Sequence, residues 1–420
     1  YVTLVDDGFV EPSETFTVRL TGGSGVYVGL DTYTVTITNN DVLPTVGFSS
    51  GTASVSEDSA SAGVTVSLNK PAASNVTVRL NTSAGTATAG SDYTQITNQT
   101  VTIPVGSTSV FVPITIADDS LYEGDEMLTV ALSSPSGATL GTSSQTLTIE
   151  DISDMPTIGF SSASLTLSED ETTPKLTVTL SNPSLTAVTA LLTTTGVTAI
   201  GGEDYITISS QLVTIPAEKT SVEVPIQLIN DAVYEGSETL TATLSSPTGG
   251  TLGVSSQTVT IADDESVPEV SVQIASASVN ENDGGWNLII MLDKASSTST
   301  TVAYAFADGT ATFGTDYSSA TSSGTLTFAP GETQKSVHFD VTDDSVYEGN
   351  ETATFTLSNP VGAVLGATHA ASIIIIENEP VPEFNLDPGS VSINEDAGTL
   401  TFTVYLSGAA SAITSVNYDA

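Results

Sequence analysis

Asp118-Asp119-Ser120-Leu121-Tyr122-Glu123-Gly124 recurs as Asn230-Asp231-Ala232-Val233-Tyr234-Glu235-Gly236 and as Asp343-Asp344-Ser345-Val346-Tyr347-Glu348-Gly349. A looser copy stands at Asp6-Asp7-Gly8-Phe9-Val10-Glu11-Pro12. The copies start at Asp6, Asp118, Asn230 and Asp343, at intervals of 112, 112 and 113 residues. A fixed period of this size marks a tandem array, in which one unit has to be explained before the chain can be. Pro44, Pro156, Pro268 and Pro382 keep nearly the same spacing and divide the chain. Complete units are predicted at residues 44–155, 156–267 and 268–381, with the closing part of a unit at 1–43 and the opening part of another at 382–420. The chain reads as an excerpt from a longer array. A head-to-tail assembly in which the two partial pieces complete each other is the alternative.

Within one unit the pattern is that of half-buried strands. Apolar and small polar residues alternate with period two, and no segment carries a helical period. In the first complete unit strands are expected between Phe48 and Val55, through Val64, Val66 and Leu68, over Val76 to Leu80, over Gln99 to Pro104, through Val110, Val112, Ile114 and Ile116, over Met127 to Leu132, and over Gln145 to Ile149. Strands joined by short turns reverse direction each time. Odd strands therefore finish at one end, and that is where the acids are: Glu57 after the first, Asp92 after the third, Asp118, Asp119 and Glu123 after the fifth, Glu150 and Asp151 after the seventh. The turns at the other end hold Pro, Gly and Ser. An odd strand count also makes the chain enter at one end and leave at the other, so successive units are strung end to end through prolines that stiffen short linkers.

Like charges gathered in one small volume repel unless something neutralises them. The chain has 49 Asp and Glu against 7 Lys and Arg, a formal net charge of −42, so protein cations cannot fill that role. The same excess excludes nucleic acid and anionic membrane surfaces as partners. There is no cysteine, hence no disulfide, thiol nucleophile or thiolate metal site. No apolar run is long enough to span a bilayer, so no membrane insertion is expected. A hard divalent cation fits instead: Ca²⁺ takes 6 to 8 oxygen ligands from flexible loops, whereas Mg²⁺ demands a tighter octahedron and Zn²⁺ recruits His or Cys. The two histidines, His338 and His369, have no repeated partner. The second unit offers Glu169, Asp204, Asp231, Glu235, Asp263 and Asp264; the third offers Glu281, Asp316, Asp343, Asp344, Glu348, Glu377 and Glu379. Asn230 replaces the first acid of its pair, which predicts weaker or fewer ions there. The leading partial unit keeps Asp6, Asp7, Glu11 and Asp41, and the trailing one Glu395.

The repeat resembles the Calx-beta domain of sodium/calcium exchangers, integrin beta-4 and large bacterial surface proteins. The likeness rests on Ser56-Glu57-Asp58, Gly90-Ser91-Asp92-Tyr93, the run beginning at Asp118, the stretch from Ser134 through Gly137-Ala138 to Leu140-Gly141, and Ile149-Glu150-Asp151. It implies an all-β array of seven-stranded immunoglobulin-like sandwiches with Ca²⁺ held at one apex, and a backbone carbonyl ligand from Leu121. Other residues are assigned ordinary roles. Tyr93, Tyr122 and their counterparts read as corner tyrosines whose hydroxyls bond backbone, Trp286 as core, and Gly124 and its counterparts as turn glycines. Asn-x-Thr triplets are expected by chance in a Thr-rich chain.

The function expected is not enzymatic, because paired carboxylates repeated in every unit with no cleft-forming insertion do not resemble a single active site. It is an extracellular structural or adhesive array, secreted or on a bacterial cell surface, in which calcium at the junctions between neighbouring repeats stiffens a stalk or filament. Lateral or head-to-tail self-assembly and a cell-surface or matrix ligand are the partners considered. A regulatory calcium sensor of a membrane protein and a self-assembling surface-layer subunit are the alternatives.

Overall fold

A computed structural model describes residues 1–59 and 62–419. The leading partial unit contributes one hairpin, β1 (Glu14–Arg19) and β2 (Thr32–Ile37). The first complete unit has nine strands: β3 (Thr45–Phe48), β4 (Thr52–Ser56), β5 (Gly63–Leu68), β6 (Val76–Ala84), β7 (Gln99–Ile103), β8 (Ser109–Pro113), β9 (Glu126–Ser136), β10 (Thr139–Leu140) and β11 (Ser144–Glu150). They form two sheets, in the orders β10-β3-β5-β8 and β4-β11-β9-β6-β7. The second complete unit repeats this plan, the third adds two short strands, Tyr317–Ser318 and Val346–Tyr347, and no α-helix occurs among the described residues.

Two of the nine strands correct the expected seven. The first expected strand, Phe48 to Val55, is broken: β3 pairs with β5 in one sheet, while β4 lies beside β11 in the other. Ser49-Ser50-Gly51 carries the chain across, so one stretch supplies a strand to each sheet without a change of direction. The second addition follows a bulge in β9, where Ser134 has a φ of 50°, after which the chain returns as β10 along β3. The directional argument survives both changes, because β11 runs parallel to β4 and β10 parallel to β3.

Alternation along the strands puts one apolar core between each pair of sheets. In the first unit Val46, Val66, Leu80, Leu128 and Val130 are wholly enclosed. The third unit fills the same space with rings, Phe306 packing on Phe339 and Phe355 at centroid distances of 6.1 and 5.2 Å. The linker prolines Pro44, Pro156 and Pro268 are buried, and their carbonyls accept the N–H of Thr139, Thr251 and Val364 at 2.8, 2.9 and 2.9 Å. A residue that breaks the chain between units therefore also starts the next sheet.

Trp286 is a correction. It is 43% exposed, although it opens its strand, Trp286–Leu292, directly opposite the buried Phe339. The corner tyrosines Tyr93, Tyr205 and Tyr317 are buried, but the expected hydroxyl-to-backbone bond is not what two of them make. The Tyr93 hydroxyl is enclosed without a partner, and Tyr317 donates to Asp308 Oδ1 at 2.9 Å.

Candidate metal centre

Each complete unit gathers carboxylates at the end where β4, β6, β8 and β11 finish. In the first unit they form two groups, Glu57 with Asp151 and Asp154, and Asp92 with Glu123 and Glu126. The second unit has Glu169 with Asp264 and Glu265, and Asp204 with Glu235 and Glu238; the third has Glu281 with Glu377 and Glu379. Within each group one oxygen per residue lies within 4.8 Å of the others. Glu57, Asp92, Asp151, Glu169, Asp204 and Glu281 are buried. Among the described residues the ion pairs are Arg19–Asp31, Lys175–Glu223 and Lys335–Glu332, and His338 hydrogen-bonds Asp340. None of them neutralises an apical carboxylate.

Backbone donors hold the sites open. Asp151 Oδ2 accepts from the N–H of Glu123 and Gly124 at 2.6 and 3.2 Å, while its Oδ1 is buried with no partner. Asp263 Oδ2 accepts from Glu235 and Gly236 at 2.7 and 2.6 Å. In the third unit Glu377 takes this place, receiving Glu348 at 2.5 Å and Gly349 at 2.9 Å on Oε2, and Asn378 and Glu379 at 3.0 Å each on Oε1. Glu265 and Glu379 each bury one carboxylate oxygen without a partner. A buried oxygen left bare costs free energy that a coordinated cation removes. Asp119, Asp231 and Asp344 cap the loop from outside, each accepting the N–H two residues on at 2.7 Å.

The crowding appears in the acidities. Burial, followed by the charges of Asp151, Asp119, Glu123 and Asp118, pushes Glu57 up to about 7. Burial and the Asp92 carboxyl push Glu126 up to about 8. Glu169, Glu235, Glu238, Glu281 and Glu351 are raised to about 7, burial leading in every case. Glu377 goes the other way, to about 2, because its backbone donors outweigh its burial.

Several predicted positions sit differently. Asp118, Asp119, Asp231, Asp343 and Asp344 are exposed at the rim, close enough that Asp118 and Asp119 act on Glu57. Asp316 lies beside Glu348 and Glu351. Glu150 closes β11, facing away from inward-pointing Ile149. Leu121 is held through its N–H by Asp119. Asp6, Asp7, Glu11 and Asp41 line a shallow hollow with Asn39, and Glu395 is exposed on a short 3₁₀ turn, Glu395–Ala397. Sequence reasoning missed Glu126, Glu238 and Glu351, each three residues beyond the Glu of the repeated run. The signal is that fixed spacing in all three units; Glu126 falls just outside the strand expected from Met127 and opens it in the structure.

The sequence profile of the Calx-beta domain matches residues 1–41, 38–153, 151–265 and 263–379. The chain belongs to the Calx-beta family. Among curated proteins, the extracellular matrix organizing protein FRAS1 of mouse is 36% identical over 77 residues, 18% of this chain and 2% of FRAS1. The human protein is 36% identical over 92 residues, 22% of this chain and again 2% of its own length. The chain thus spans about 2% of these relatives. Among solved structures, CBD12 from CALX1.2 aligns at 20% identity and a TM-score of 0.27, covering 52% of this chain and 99% of that one. The apo-form Calx CBD1 domain aligns at 29% identity and a TM-score of 0.26, covering 27% and 100%. Among the described residues of the Calx-beta array, no helix is long and apolar enough to cross a membrane.

Proposed function

We propose that the array is an extracellular calcium-dependent structural element, with calcium held at the apex of each complete unit stiffening the junction to the next. The observation that carries this reading is the paired carboxylate groups with bare buried oxygens, Asp151 Oδ1 foremost, on loops that face the following unit. The donors are all oxygen, without His or Cys, which suits Ca²⁺. Glu57, Asp151 and Asp154 would hold one ion, Asp92, Glu123 and Glu126 another, and Asp119 would shield the rim. Bound cation supplies the positive charge that seven basic residues cannot. The likeness to proteins named for organising the extracellular matrix supports a location outside the cell, where calcium is millimolar and weak extracellular sites of about 10⁻⁴ to 10⁻³ M are filled. A stalk that spans distance suits repeated near-identical units better than a sensor does.

Titration calorimetry with calcium, paired with small-angle scattering in calcium and in chelator, tests the reading. Binding with a longer, less variable particle in calcium is expected. No binding, or binding with no change in particle length, rejects it.

A further inference from the structure

We propose that the turn after the second core strand of each unit is the docking surface for the metal loop of the unit before it, so that each ion governs one junction, the one downstream. This rests on the calcium reading above and adds the route and the direction by which an ion acts on a neighbour.

The observation is how the backbone of one loop is shared out. In residues 119–124 the N–H of Leu121 goes to Asp119 and those of Glu123 and Gly124 go to Asp151, all inside the first unit. Tyr122, between them, spends both its backbone groups on the second unit. Its N–H donates to the Pro183 carbonyl at 3.0 Å, and its carbonyl accepts the Leu185 N–H at 2.8 Å, a parallel bridge centred on Ser184. Ser184 is 1% exposed. Its carbonyl accepts the Glu218 N–H at 2.8 Å and its hydroxyl accepts the Thr186 N–H at 3.2 Å, so the receiving turn is itself pinned.

The next junction repeats this. Tyr234 N–H donates to Ala295 at 2.9 Å and its carbonyl accepts Ser297 N–H at 3.0 Å, around buried Ser296, while Val233, Glu235 and Gly236 are held by Asp231 and Asp263. At the third junction Val346 and Tyr347 pair with Ala409 and Ala410, and Tyr347 accepts Ser411 N–H at 3.2 Å. One carboxylate beside the ion position, Asp151 or Asp263, and one at the rim, Asp119 or Asp231, therefore fix the residues on either side of the tyrosine that grips the next unit. When the carboxylates are uncompensated their repulsion spreads that loop, and the grip loosens with it.

The leading junction departs from the pattern. Val10 stands in place of Tyr122, Pro12 has no N–H to give, and Asn39 occupies the position of Asp151. The contact seen there is Lys70 Nζ to the Gly8 carbonyl at 3.0 Å. That junction is accordingly insensitive to calcium.

Amide hydrogen exchange of the full chain, in calcium and in chelator, reads the clamp from its receiving side. The N–H groups of Leu185 and Ser297 lie in the unit after the ion that protects them. Calcium should slow both by about tenfold or more, and leave Ala73, at the leading junction, unchanged. Glu57→Gln should abolish the calcium effect at Leu185 and spare Ser297; Glu169→Gln should do the reverse. Calorimetry on the same samples separates the two claims. If calcium does not bind, the calcium reading and this inference both fall. If calcium binds but exchange at Leu185 is unchanged, or if either substitution acts on both junctions alike, the clamp is wrong and the calcium reading stands.

Discussion

Glu281→Gln in the third unit should reverse the sign of its effect on stability when calcium is removed. Glu281 is 7% exposed and raised to about 7 by burial, then by the Glu377, Glu379 and Asp344 carboxylates. At pH 8 without calcium it is ionised against that environment. Each pKa unit is worth about 1.36 kcal/mol, which sets an upper value near 3 kcal/mol for the strain; solvent at the rim brings it down to roughly 1 to 2 kcal/mol. Gln keeps the shape and removes the charge, so in chelator the variant should be the more stable protein by that amount. In calcium the order inverts. An ion with a dissociation constant of about 10⁻⁴ to 10⁻³ M contributes roughly 1 to 2.3 kcal/mol at about 5 mM free calcium, and the variant forfeits most of it. For a unit of this size each kcal/mol moves the melting temperature by about 4 °C. The assay is intrinsic fluorescence on heating, because Trp286 is the single tryptophan and lies five residues from Glu281, so it reports the third unit alone. A variant that melts below wild type in chelator as well as in calcium would refute the reasoning, since Glu281 would then be a structural partner and not a strained ligand.

The raised glutamates also fix a pH dependence. Groups whose folded pKa is raised contribute stability that is complete below about 4.5 and lost as pH climbs through about 7, so the chelated chain should melt higher at pH 5.5 than at pH 8, and saturating calcium should flatten that slope. Glu377, lowered to about 2, contributes above about 4.5 and is lost below about 2, outside that window; a chelated melt that rises with pH between 5.5 and 8 contradicts the account. Glu126→Gln should cost one ion in the first unit while leaving the Glu57 group able to bind, read as a fall of one in calorimetric stoichiometry; unchanged stoichiometry would remove Glu126 from the site. Tyr93→Phe should be neutral or stabilising by up to about 1 kcal/mol, because it deletes a buried hydroxyl with no partner, whereas Tyr317→Phe should cost about 1 kcal/mol by deleting the bond to Asp308. Equal effects in denaturant melts would show that the hydroxyl environments do not differ.

What could be read from the sequence was what depends on spacing and direction. The period of the repeated run located the units, and strand parity placed Glu57, Asp92, Glu123 and Asp151 at one end; the parallel pairing of β11 with β4 is the geometry that parity requires. What escaped depends on chain crossing and on the ends of sheets. The jump at Ser49-Ser50-Gly51 looks like an ordinary turn inside one strand, and no local pattern says that its two halves join different sheets. Trp286 has the composition of a core residue and the right parity, and it stands opposite buried Phe339, yet as the first residue of its strand it is left half-exposed. The grip of Tyr122 on Ser184 was invisible for a simpler reason: it uses only backbone groups, which every residue carries.

The leading partial unit shows why ligand and clamp belong together. An anchor at the position of Asp151 must be an acceptor with charge to spare, because one of its oxygens takes two N–H donors and the other is left bare in Asp151 or takes further N–H donors in Asp263 and Glu377. Asn39 has one acceptor oxygen; it accepts from Asp41 at 2.7 Å, and its amide donates to the Phe9 carbonyl at 3.1 Å. Pro12 removes the second donor outright, and Val10 replaces the gripping tyrosine. Three differences fall within one loop and its anchor, and the bridge seen at the other three junctions gives way to one lysine contact. If the acids served only solubility, losing one of them would not be accompanied by loss of the donor it holds and the residue between. Their joint change is what a single device with two ends, one on the ion and one on the next unit, would produce.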